Sequence, residues 1–226
     1  MGILKEKMKR DMEIRGFSKN TIKNYLAGAT AYAKYYMRSP AELTLDDIYN
    51  YQYYLKTKTS LSWSSFNIQV CALRFLYKKT LRKNWDINHI PYHKKAKGLP
   101  EIISKEDAVF MFKVFTTLRN KALFLSTYSC GLRISETLNI TLRDIHRSRG
   151  QIFIRESKGL KDRYVILSNK LLKLLEKYWL SLKNKRSQYL FPGPDPRKPL
   201  TTRTAKKIIR KTKKKAGIKI KVTPHT

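Results

Sequence analysis

Between Ser18 and Pro40 the apolar residues Ile22, Tyr25, Leu26, Ala29, Tyr32, Ala33 and Tyr36 recur at steps of three and four. That spacing sets them on one face of an α-helix, and so wide an apolar face has to be buried against other elements. Ser18 stands where a helix N-cap belongs, and Pro40 lies just beyond the end. Similar segments flank it. A helix is expected from about Ile3 to Arg15. Thr44-Leu-Asp-Asp47 resembles a capping box with Asp in place of Glu, and opens a helix toward Lys56. Ser62 or Ser64 caps a further helix whose stripe is Phe66, Val70, Leu73 and Leu76 or Tyr77. Four short amphipathic helices predict a small bundle over residues 1–83.

From Asn84 to Ile103 the periodicity fails. Pro91, Pro100 and the basic run His93-Lys-Lys-Ala-Lys97 mark residues 84–103 as a linker that crosses something negative. A second domain is expected over residues 104–226. Ser104-Lys-Glu-Asp107 starts a helix toward Phe115, and another runs from Leu118 to Cys130. Gly131 suits the left-handed position just past a helix. Ser135 is placed to help start a helix from Glu136 to Ile140. Gln151–Arg155 and Arg163–Leu167 read as strands joined by the polar turn Glu156–Asp162. Ser168 starts a helix containing Leu171, Leu172, Leu174, Leu175 and Trp179. Pro192–Pro196 is a loop, and a basic helix follows from Thr201 to about Ala216. The fold class is therefore mainly α, with one small antiparallel sheet.

Charge narrows the partner. Lys and Arg number 49 against 16 Asp and Glu, a formal charge of +33, and Arg197 to Thr226 holds 12 basic residues and no acid. A polyanion relieves the self-repulsion of such a chain. Nucleic acid is the leading partner class, ahead of an anionic membrane surface and an RNA scaffold. Cys71 and Cys130 are far apart and form no Cys-x-x-Cys pair, which excludes a disulfide framework and a structural zinc site, and fits a reducing cytoplasm. No apolar run reaches transmembrane length, and the charged N-terminus excludes a signal peptide. Glu6 stands where a myristoylation motif needs Ser or Thr. His89 and His93 have metal-like spacing, but Pro91 breaks any helix between them and no acid or thiol accompanies them, so they are linker residues.

Four residues could carry chemistry. Arg133, between Leu132 and Ile134, presents a planar fork that suits two phosphate oxygens, with Glu136 one helical turn away to hold it. Taken alone, it reads as a solvated arginine in a surface salt bridge. Lys158, beside Gly159 on the hairpin, with Lys161 and Arg163 nearby, could reach a phosphate or donate a proton to a leaving oxygen. Taken alone, it is a charged turn. His225 by itself is only a terminal histidine.

In order, Gly131-Leu-Arg-Ile-Ser-Glu136, then Glu156-Ser-Lys-Gly-Leu-Lys-Asp-Arg-Tyr-Val165, then Thr223-Pro-His-Thr226 resemble successive boxes of the tyrosine recombinase (phage integrase) family. Arg15-Gly-Phe-Ser-Lys-Asn-Thr-Ile-Lys-Asn-Tyr25 and Ala72-Leu-Arg-Phe-Leu-Tyr77 are similar to the helical, SAM-like core-binding domain of Xer-like and integron-type integrases. The resemblance covers essentially the whole chain. It implies an N-terminal core-binding domain and a mostly helical catalytic domain that clamp duplex DNA. It implies site-specific DNA recombination and integration on a mobile element, through a 3′-phosphotyrosyl link, in a tetrameric synapse of like subunits.

The resemblance assigns Arg133 as the first clamping arginine, Glu136 as its support, Lys158 as the acid to the leaving oxygen and His225 as a proton-transfer group. The family chemistry needs no metal and no small-molecule cofactor. Lys94, Lys95, Lys97, Lys161, Arg163, Lys206, Lys207 and Arg210 are the expected DNA contacts. The family's second arginine, its late His or Trp and its tyrosine all follow the histidine box, whereas the 14 tyrosines here precede His225. The expectation is a catalytic domain incomplete at its C-terminus, inactive as it stands, with apolar residues exposed around Leu123–Tyr128 and Ile208. The alternatives are a DNA-binding remnant that occupies recombination sites without cutting, and a basic RNA- or ribosome-associated protein.

Overall fold

A computed structural model of the chain describes residues 2–92, 103–157, 161–183 and 185–219. The chain divides into two compact units, residues 1–98 and 99–226. Among the described residues, no helix is long and apolar enough to cross a membrane.

The first unit contains α1 (Gly2–Ile14), α2 (Lys19–Tyr36), α3 (Leu45–Thr57) and α4 (Trp63–Phe75). The starts of α2, α3 and α4 each have a local cause. Ser18 Oγ accepts the Thr21 N–H, Ser62 Oγ accepts the Ser65 N–H, and Thr44 and Asp47 form the reciprocal capping box. The α2 stripe faces inward: Tyr32 is fully buried, and Ile22, Ala29 and Ala33 are buried with it. They meet Met8 and Met12 of α1, Ile48 and Tyr51 of α3, and Phe66, Val70 and Leu73 of α4. Gly28 lets α2 approach α4, since a Cβ there would lie 2.9 Å from Ala72 Cβ.

Tyrosines organise this core. Tyr32 meets the rings of Tyr36, Tyr51 and Tyr77 edge-on, at centroid distances of 5.5, 5.0 and 6.3 Å. Such pairs add about 0.5–1.5 kcal/mol each beyond area burial. The Tyr77 hydroxyl donates to the Pro40 carbonyl at 2.8 Å, so the turn after α2 is pinned to the end of α4. Burial pushes that hydroxyl up to about 12.

Two features depart from the expected pattern. The helix α4 continues through one π-helical turn, Leu76–Thr80, closed by Leu81 N–H to Leu76 O at 2.8 Å. Ordered packing also extends past residue 83. Ile90 is 2% exposed and belongs to the first core, Arg74 donates through Nε and Nη2 to its carbonyl, and Gln52 Nε2 donates to the Pro91 carbonyl.

The second unit contains α5 (Lys105–Val114), α6 (Leu118–Ser129), α7 (Ile134–Asn139), β1 (Ile145–His146), β2 (Gln151–Ser157), β3 (Lys161–Ile166), α8 (Asn169–Leu180) and α9 (Thr202–Lys215). The strands form one antiparallel sheet in the order β1-β2-β3. Strand pairing reaches further into the hairpin than expected, to Ser157 and Lys161, across a register shift between Ile154 and Ser157. Both cysteines are free thiols.

The expected exposure around Leu123 is not observed. Leu123 is fully buried, Phe124 is 4% exposed, and Ile208 packs against the core; of the residues named, Tyr128 alone is strongly exposed, at 57%. The reason is that α6 is central. It packs against α5, α7 and α8, and the Phe124 ring stacks on Phe115 at 5.1 Å.

Candidate nucleic-acid interface

The site begins where α6 stops. Gly131 has φ +59°, a left-handed conformation that suits glycine. The Leu132 N–H then returns to the Thr127 carbonyl at 3.0 Å, closing the helix end and turning the chain toward Arg133. Thr127 Oγ1 donates to Thr137 Oγ1 at 3.1 Å and ties the two helices together behind the turn.

The helix α7 begins at Ile134, two residues before the expected start at Glu136, with Arg133 rather than Ser135 in the capping position. Arginine has no acceptor to offer there. Glu136 supplies the cap from inside the first turn, accepting the Arg133 N–H at 2.8 Å. The same carboxylate accepts Arg133 Nη1 at 2.7 Å. Arg163, reaching over from β3, places its fork on it at 3.2 Å and 2.8 Å.

One buried carboxylate therefore holds two arginines. The Glu136 side chain is 6% exposed, whereas those of Arg133 and Arg163 are 46% and 35% exposed. Burial alone would push the Glu136 carboxyl up. The donors of Arg163, then the backbone and side chain of Arg133, outweigh it and hold the carboxyl at about 2. The cluster keeps one net positive charge. Arg133 Nε and Nη2 have no partner among the described residues, so that edge is available to an anion's oxygens.

A parallel arrangement holds the neighbouring strand, at Arg155, the residue after Arg163's register partner Ile154. Asp144 caps Thr141 through its N–H and hydroxyl, and accepts Arg155 Nε and Nη2 at 3.0 and 2.6 Å. Burial would raise the Asp144 carboxyl, but Thr141 and Arg155 bring it below its ordinary value. The sequence reading missed this pair, although Thr141-x-x-Asp144 has capping-box spacing.

The other expected residues divide into four groups. Arg163, expected simply as a DNA contact, has its fork committed to Glu136. Lys206, Lys207 and Arg210 lie on the exposed face of α9, opposite the buried Ala205, Ile209 and Thr212. Lys161 pairs with Ser157 through the β3 backbone. Lys94, Lys95, Lys97, Lys158 and His225 lie outside the described residues.

Comparison with known proteins covers both units. Residues 101–226 match the profile of the phage integrase family, and residues 4–87 match the phage integrase N-terminal SAM-like domain. The integrase/recombinase y4qK of Sinorhizobium fredii is 34% identical over 224 residues, covering 99% of this chain and 72% of that protein. Tyrosine recombinase XerD of Oceanobacillus iheyensis is 33% identical, covering 94% of this chain and 77% of that protein. Among solved structures, a lambda integrase dimer bound to a COC′ core site has a TM-score of 0.75 at 14% identity, covering 100% of this chain and 85% of that one. This last likeness concerns the fold.

Proposed function

Since the chain belongs to the phage integrase family of tyrosine recombinases, whose activity is site-specific DNA recombination, we propose that residues 1–226 grip duplex DNA and hold one backbone phosphate at Arg133. The observation that carries this reading is the arginine pair on Glu136. Its carboxylate consumes one positive charge and fixes the Arg133 fork, while the remaining guanidinium edge faces outward. A fork fixed before the phosphate arrives loses little freedom on binding it, and opposes the extra negative charge that develops in a phosphoryl transition state.

In this reading Lys158 protonates the leaving oxygen and His225 assists proton transfer, as the family boxes imply. Lys94, Lys95, Lys97, Lys161, Lys206, Lys207 and Arg210 meet other phosphates. These contacts position the protein without reading sequence. Arg163 holds the arginine cluster together. The working unit is a homo-oligomeric synapse on DNA of a mobile element, in the cytoplasm, where duplex DNA and free thiols coexist.

No tyrosine of residues 1–226 follows His225. We therefore expect these residues to bind DNA without forming a phosphotyrosyl link themselves. A dye-labelled duplex carrying the recombination site tests the grip: anisotropy should show affinity falling steeply with salt, and R133A should weaken binding. A nicked suicide substrate tests the chemistry on a denaturing gel. An adduct that disappears when one tyrosine of residues 1–226 is mutated would place the nucleophile inside this stretch and overturn the binding-only reading.

A further inference from the structure

The two faces of the β1-β2-β3 sheet differ. The inner face packs Ile152, Ile154 and Val165 against the core of the second unit. The outer face of such an antiparallel sheet is ordinarily polar, yet its centre here is apolar. Tyr164 and Ile166 of β3 are 51% and 80% exposed, and the half-buried rings of Phe153 on β2 and His146 on β1 lie beside them. The Tyr164 ring meets Phe153 at 5.0 Å and His146 at 5.7 Å, so rings from three strands form one platform. Successive strand residues point to opposite faces. Arg163 therefore reaches Glu136 on the inner side while Tyr164 faces outward, and the platform is separate from the Arg133 site.

The surround is basic. Arg155 shares the outer face, with its guanidinium 5.4 Å from the Phe153 ring centroid. Arg149, in the turn between β1 and β2, and Arg143, shortly before β1, are exposed and have no partner among the described residues. The nearby carboxylates are engaged. Asp144 holds Arg155, Glu176 holds Arg147 at 2.6 Å, and Asp162 lies in the field of Arg155.

The charge favours an anionic occupant, and exposed rings favour one with flat faces to stack on them. An acidic protein segment meets the first condition only, whereas a nucleic acid strand meets both. Inside a duplex each base face is covered by its neighbours, so the rings can take bases only from an unpaired strand. We propose that the outer face of this sheet binds an unpaired DNA strand, with one base stacked on Tyr164 and the phosphates held by the surrounding arginines.

The probe is a dye-labelled oligothymidylate, and its control is an abasic strand with the same number of phosphates. Both are titrated by anisotropy into the 226-residue chain at elevated, constant salt. The wild type should bind the thymidylate about tenfold more tightly than the abasic strand, the contribution of one stacked base. Y164F keeps the ring and should keep that preference, Y164A should lose it, and both should bind duplex DNA as the wild type does. Equal binding of the two strands by the wild type needs no variant to fold and would overturn the proposal. So would a preference that survives in Y164A, or duplex binding weakened by Y164A. A wild-type dimer in sedimentation that Y164A dissociates would assign the face to a second copy of the chain instead, and would equally overturn it.

Discussion

Replacing Glu136 with glutamine tests whether one carboxylate organises the candidate interface. The carboxyl sits at about 2 instead of its ordinary 4.5. Such a displacement corresponds to about 3 kcal/mol favouring the charged, folded form. The folded-state value is the lower one, so the contribution is complete above the ordinary value, declines as pH falls below it, and is gone once pH passes below about 2. Glutamine keeps the shape but loses the charge, and its amide offers one acceptor oxygen where the carboxylate offers two. Both guanidiniums are partly solvated, so water replaces part of the lost attraction. The expected cost of E136Q at neutral pH is therefore about 2 kcal/mol. Native-state amide hydrogen exchange reads this locally, in α7 and β3, independently of the first unit. The α7 and β3 amides should exchange about thirtyfold faster in E136Q, and the gap from wild type should close as pH falls from the ordinary carboxyl value toward about 2. A gap below about 0.5 kcal/mol at neutral pH, or one that does not narrow on acidification, would refute the reasoning.

Three further outcomes are expected. G28A should lower the melting temperature of the first unit, because the new methyl would lie 2.8 Å from Gln69 Oε1 and 2.9 Å from Ala72 Cβ; the side-chain amide can move, but Ala72 sits on α4, and overpacking of this kind costs about 1–3 kcal/mol. Y77F should cost about 1–2 kcal/mol by removing the donor to the buried Pro40 turn, read as a lower urea midpoint with unchanged slope. The triple variant K206Q/K207Q/R210Q should leave the melting temperature unchanged, since these side chains are exposed, but reduce the salt slope of duplex binding by up to about 3 if all three meet phosphates.

How much of this is legible in sequence follows from how local each cause is. Caps at Ser18, Thr44, Ser62, Ser104 and Ser168 act within a single helical turn, and each accepts its N–H as its spacing implies. The α2 stripe is equally readable, because 3.6-residue periodicity and burial are one fact seen twice. The π-helical turn at Leu76–Thr80 leaves no such signature, since one extra residue merely rotates the apolar stripe. The cover over Leu123 is invisible for a different reason: α7 and α8 lie later in the chain, and no local pattern states that they return to α6.

The arginine cluster combines both cases. Arg133 and Glu136 are one turn apart, so their pairing can be read from spacing, yet the helix start is misplaced because arginine does not look like a cap. Arg163 differs from a solvated basic residue such as Lys206 only through the sheet. The register pairs Ile154 with Arg163 and Phe153 with Tyr164, leaving Ile154 buried, the Tyr164 ring exposed and the Arg163 fork on Glu136. Strand side chains alternate between faces, so a slip of one residue would exchange Arg163 with its neighbours on the other face. Glu136 would then hold Arg133 alone. The hairpin register is thus as much a determinant of the proposed phosphate site as the arginine itself, although no residue that sets it needs to touch the phosphate.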